Sequence, residues 1–174
     1  MSCHRSLPSP SATAVRTAVR TAVAAVATAA VLLAAAGCSA FGDDAGPSVA
    51  VPRPTAEEAA VCRALDKELP ATVAGLDRSD PEPDSELTAG WGDGAIVLRC
   101  GVPRPDRMSD PQAKGVEADG VNWLLEPREG TGPRFTSTYR QAYVEVSLDE
   151  RYAHDASPLA AFAGPVKKAV PPSL

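Results

Sequence analysis

No acidic residue occurs before Asp43, and the apolar run in that part of the chain is short for crossing a bilayer. It extends from Thr21 to Ala36, sixteen uncharged residues, mostly Ala, Val and Leu, where a spanning helix needs about 20. The chain also lacks a CxxC pair, a GxSxG or SxxK block and any internal repeat, and after residue 38 it has one histidine, His154. These gaps remove the sequence signatures of thiol redox enzymes, α/β-hydrolases, penicillin-binding enzymes and solenoids. Three of the 17 basic residues and none of the 22 acids precede residue 38. From Cys38 onward the chain has 14 basic against 22 acidic residues, a net charge of −8, which disfavours nucleic acid as a partner.

The acid-free beginning has a positive interpretation. Arg5, Arg16 and Arg20 precede the apolar run, which ends in Ala35-Ala36-Gly37-Cys38. A charged start, an apolar middle and small residues before a cut form a signal peptide, here residues 1–37. A small pair directly before cysteine resembles the lipobox of bacterial lipoproteins, in which the cysteine sulfur takes a diacylglycerol and the chain is cut before it. Ala35 stands where leucine is commonest, a tolerated variant. The resemblance implies an acylated Cys38 that anchors the protein in the lipid bilayer at the outer face of the cell membrane. Two or three acyl chains hold firmly where one alone is marginal.

Residues 38–54, rich in Gly, Pro, Ser and Asp, are expected to be a flexible tether. Residues 55–174 are enough for one core and too few for two. Thr55 and Glu58 have capping-box spacing, and Cys62, Leu65 and Leu69 recur on one helical face until Pro70. Val73 to Leu76 reads as a short strand, and Asp77 to Glu86 as an acidic loop. Ala95 to Cys100 alternates, with Ile96, Leu98 and Cys100 on one face. Pro103 to Gly115 reads as a loop and Val121 to Glu126 as a strand. Arg134 to Tyr139 and Ala142 to Leu148 read as a hairpin, with Tyr143, Glu145 and Ser147 facing away from Val144 and Val146. Ser157 and Pro158 open a helix that Pro165 should kink or end. The order predicts an α+β two-layer domain: an antiparallel sheet packed by an N-terminal and a short C-terminal helix.

Cys3 leaves with the leader and Cys38 takes the lipid, which leaves Cys62 and Cys100. Each lies on the apolar face of its element, so both point into the layer between helix and sheet, and an exported domain meets an oxidising compartment. A Cys62–Cys100 disulfide is expected, worth about 4 kcal/mol in the chain-entropy model. Free thiols or a metal site are the alternatives, although 38 positions without a nearby histidine fall short of zinc-ligand spacing. The neighbouring Gly90, Gly92 and Gly94 invite comparison with a phosphate-binding loop. A dinucleotide fingerprint needs a strand before the glycines and a helix after them, and here a strand comes after. The glycines therefore read as positive-φ positions of a turn, and no nucleotide or other cofactor is expected.

The blocks TAGWGDGAIVLRCGVPRP, DGVNWLL and STYRQAYVEVSL resemble secreted lipoproteins of high-GC Gram-positive bacteria grouped as domain of unknown function 3515. Gly94 stands where that pattern favours proline. The resemblance implies an exported, disulfide-bonded envelope lipoprotein without an assigned activity.

Chemistry is sparse elsewhere. His154 lacks a nucleophile and an orienting group, so no catalytic residue is assigned. Asp80, Glu82, Asp84 and Glu86 alternate but lack the calcium-loop glycine, and a solvated loop is expected, with no metal assigned. If two or three of Trp91, Trp123, Tyr139 and Tyr143 share an exposed face with Arg99 or Arg140, they would suit a glycan or peptide groove; packing in the core is the competing role for Trp123. The function expected is a membrane-anchored module binding an envelope protein or wall polymer. The alternative is a wall hydrolase or transferase whose carboxylates the fold brings together.

Overall fold

The computed structural model describes residues 47–173; the expected signal peptide, Cys38 and the first part of the tether lie outside the described residues. Helix α1 (Ala56–Asp66) begins as its sequence dictates. The Thr55 hydroxyl accepts from the Glu58 amide at 3.3 Å, and the Glu58 carboxylate accepts from the Thr55 amide at 2.9 Å. It ends at Asp66, four residues before Pro70, and buries Cys62 and Leu65.

Two-residue strands β1 (Thr72–Val73) and β2 (Leu76–Asp77) come next, paired antiparallel. The single strand expected over Val73–Leu76 is thus a tight hairpin, because Ala74 and Gly75 take positive φ and reverse the chain. The main sheet contains β3 (Thr88–Trp91), β4 (Ile96–Cys100), β5 (Lys114–Ala118), β6 (Val121–Glu126), β7 (Arg134–Ser137) and β8 (Val144–Leu148). Its order is β3-β4-β8-β7-β6-β5, antiparallel throughout. A last helix, α2 (Ala160–Ala169), is preceded by a 3-10 turn, Ser157–Leu159.

Several boundaries differ from expectation. Strand β3 was hidden by its glycine, which serves close approach rather than positive φ: a Cβ at Gly90 would strike the Ser79 carbonyl oxygen. Gly92 and Gly94 do take the positive φ of the β3–β4 turn, at +59° and +88°, and proline could not adopt the latter. Strand β5 lies partly in the expected loop, because KGVEA has neither clean alternation nor a β-branched run. Asp155, not Ser157, supplies the side-chain cap before the 3-10 turn, accepting from the Ser157 amide at 2.8 Å. Pro165 does not end α2, since Phe162, Ala163 and Val166 on either side of it are all buried.

Register sorts the residues onto two faces. Trp91, Ile96, Leu98, Cys100, Val144, Val146, Phe135 and Trp123 share the face under the helices. Trp91 packs against Phe162 of α2 with ring centroids 5.2 Å apart, and its indole N–H donates to the Pro70 carbonyl. The Cys62–Cys100 disulfide joins α1 to β4 across this layer. The fold is α+β with one such staple, as the sequence indicates. Cys62→Ser with Cys100→Ser should lower unfolding stability by about 4 kcal/mol, measured by denaturant titration with and without reductant. A loss below about 1 kcal/mol would mean that the cross-link restrains little.

Candidate functional site

The opposite face of the sheet is built on charge. One row of paired residues crosses all six strands: Thr88, Arg99, Glu145, Thr136, Leu124 and Gly115. Glu145 is 7% exposed and meets Arg99 at 2.9 Å and Arg134 at 3.7 Å. Arg134 in turn holds Glu126 at 3.2 Å. The four form a chain of alternating sign across β4, β8, β7 and β6. Burial, together with the Arg134 charge, pulls the nearby Arg128 guanidinium below its ordinary value.

The chain preceding α1 lies against this side. Arg99 donates to the Ala50 carbonyl at 3.2 Å, Pro47 packs where Gly94 leaves room, and Pro54 does the same at Gly101. The expected tether therefore does not run free as far as Pro54.

Beside the ionic row, the floor of an open groove is the same face of β5 and β6. It has a volume of about 680 Å³, within the range of small-ligand sites. Gly115, Glu117, Asn122 and Leu124 line the floor, with Tyr143 from just before β8. The loop before β5 supplies a wall through Arg104 and Met108. Tyr139 stands at the rim, 73% exposed.

Tyr139 is held there. Its φ is +56°, a conformation that costs a non-glycine residue about 1–2 kcal/mol. The tail after α2 clasps the segment: Ser173 N–H donates to the Tyr139 carbonyl, Gln141 N–H to the Pro171 carbonyl, and the Arg140 guanidinium to the Val170 carbonyl.

The six candidate ligand residues do not come together as one set. Trp91 and Trp123 are buried under the helices. Arg99 is on the opposite face, tied to Glu145 and Ala50, and Arg140 is spent on Val170. Of the six, Tyr139, Tyr143 and Trp123 line the groove, and Tyr139 is the one whose side chain is fully exposed there. Sequence reasoning missed Gly115, Glu117 and Asn122, although the outward placing of Tyr143 and Glu145 was legible from the alternation in β8.

His154 is exposed, in the turn before the 3-10 segment. Asp155 beside it is held below the usual carboxylate range by its bonds from Ser157. In the acidic loop, Asp80 pairs with Arg78, and backbone groups of Glu82 bond to Pro47 and Val49. Burial would lower the Arg78 guanidinium, but its bonds to Asp80 and Asp66 outweigh that and raise it above its ordinary value. Among the described residues no group of three His, Cys, Asp or Glu side chains could hold a metal ion.

A family model described as "Protein of unknown function (DUF3515)" matches residues 20–173. The chain belongs to that family. No curated protein and no solved structure matches it. Family membership agrees with the Trp91–Gly101 block and supplies no reaction, so the groove must be interpreted from its own chemistry.

Removing Glu145 tests the ionic row. Glu145→Leu leaves Arg99 and Arg134 without their shared carboxylate, and unfolding stability should fall by about 2 kcal/mol. That figure is below the usual cost for a buried pair because both guanidiniums are partly solvated. Adding Arg99→Leu should recover part of the loss in a double-mutant cycle. Purely additive losses would show that the pair is not coupled.

Proposed function

We propose that this chain is a lipid-anchored, extracytoplasmic binding module, held at the outer face of the membrane through Cys38, whose open groove receives a cell-envelope protein or wall polymer. The signal-peptide pattern ending in Gly37-Cys38 supports the address, and a disulfide suits an oxidising compartment. The observation that carries the binding role is Tyr139, a large aromatic kept exposed at the rim of a groove in a strained backbone conformation. Strain of this kind persists where surroundings enforce it, and it clusters at ligand sites.

The test is a photo-crosslinking amino acid at Tyr139, in cells. A discrete adduct should form and be lost with Tyr143→Ala. Cys38→Ser should move the protein from the membrane to the medium. The wall-enzyme alternative predicts a different pattern: Glu126→Gln abolishes function while folding is kept, and groove variants behave as wild type. That pattern would overturn the binding module.

A further inference from the structure

The two edges of the main sheet are treated differently. At the β3 edge, Ser79 N–H donates to the Gly90 carbonyl and Arg78 bridges to Trp91, so another segment of the chain covers that side. Nothing among the described residues pairs with the outer side of β5.

The direction of the β5 backbone is set by its turn. Asp119 and Gly120, at φ +46° and +81°, form the two-residue loop between Ala118 and Val121. Two positive-φ residues make a type I′ hairpin, whose flanking residues exchange both hydrogen bonds. Antiparallel pairs alternate from there, so Ala118, Val116 and Lys114 bond inward to β6. The N–H and C=O groups of Gly115 and Glu117 therefore point away from the sheet. Both residues also line the groove floor. A free edge and the groove thus share two residues.

We infer that the β5 edge and the groove together form one site for an extended peptide, which adds antiparallel to β5 as a seventh strand. The inference rests on the groove being a binding site and commits its occupant to a protein segment. In strand addition the main chain supplies affinity and pockets for alternate side chains supply selectivity.

The register specifies the side chains. Opposite residues in an antiparallel pair share a face and interact directly. Lys114 is exposed and forms no ion pair among the described residues, so an acidic residue fits opposite it. Opposite Gly115, the groove lined by Leu124 and Met108 takes an aromatic ring that lies over a residue with no side chain of its own. Val116, half-buried on the helix side, fits a β-branched partner. Glu117 fits a basic one. From N to C terminus the incoming strand is basic, β-branched, aromatic, acidic.

The test uses the full chain and two synthetic peptides, Lys-Val-Phe-Glu and its charge-swapped form Glu-Val-Phe-Lys, each flanked by serines. Hydrogen exchange is tracked amide by amide. In the free protein, the Gly115 and Glu117 amides should exchange at least tenfold faster than that of Val116; the reverse order would remove the premise. Lys-Val-Phe-Glu should slow both by at least tenfold and bind at least tenfold tighter than the swapped peptide. Gly115→Pro deletes an outward N–H that β6 does not use, so the fold should survive while peptide binding falls at least tenfold. If neither peptide protects Gly115 and Glu117, strand addition is overturned. Should a chito-oligosaccharide then shift Tyr139 and Tyr143, the groove remains a binding site with a different occupant. Should neither ligand class shift them and the Tyr139 crosslink also be absent, the binding reading falls as well. Protection of Gly115 and Glu117 that grows with protein concentration alone would name a second copy of this chain as occupant, and it too would overturn the peptide.

Discussion

The bond between Cys62 and Cys100 fixes the layer around which the rest is organised. It pins α1 to β4, the second strand of the main sheet, and so decides which face of β4 is inside. Through register, that choice propagates: Cys100 opposes Val144, Leu98 opposes Val146 and Ile96 opposes Leu148. Phe135 and Trp123 are committed in turn by β8 and β7. A one-residue slip anywhere along this series would bring Arg99 and Glu145 under the helices, where unsatisfied charge costs several kcal/mol. The disulfide and the pattern of apolar residues thus enforce the same register independently.

The second face solves a different problem. A sheet this small cannot be covered on both sides by two helices, and the uncovered side contains carboxylates paired with guanidiniums instead of apolar side chains. Such pairs contribute little net stability beside a hydrophobic replacement. They do, however, specify how β4, β8, β7 and β6 align, because each charge is satisfied by a neighbour on another strand. The segment 47–54 supplements this by covering Arg99 with the Ala50 carbonyl. The β5 end remains uncovered, and that is where the groove opens.

Legibility in the sequence tracked the strength of local signals. The capping box of α1, the alternation of β4 and β8 and the pairing of the two cysteines were all readable, because each is set by residues near in sequence or by side chains that must be inside. The strands β3 and β5 were not. Both contain glycine for reasons of space, against Ser79 at Gly90 and beside the groove at Gly115, and glycine lowers every strand signal. The candidate ligand set failed for a related reason. Composition identifies aromatics but not the face they occupy, and a tryptophan flanked by Val121 and Leu125 serves the core before it serves a ligand. The groove itself draws on residues spread from Arg104 to Ser173, and no local pattern encodes their meeting.

The C-terminal tail shows how the site depends on the core without touching the chemistry. Val166 and Val170 are fully buried and anchor the end of α2. That anchoring places Pro171 and Ser173 where they can bond to Gln141 and Tyr139. A tyrosine in a left-handed conformation would relax to a more favourable one if its segment were free. The tail supplies three hydrogen bonds over residues 139–141, counting Arg140 to Val170, and each is worth about 1 kcal/mol net. Together they exceed the conformational cost, so the strained geometry persists and the ring stays at the groove mouth. The exposure of Tyr139 is therefore a consequence of helix packing on the far side of the sheet, maintained against both the hydrophobic effect and the backbone's own preference.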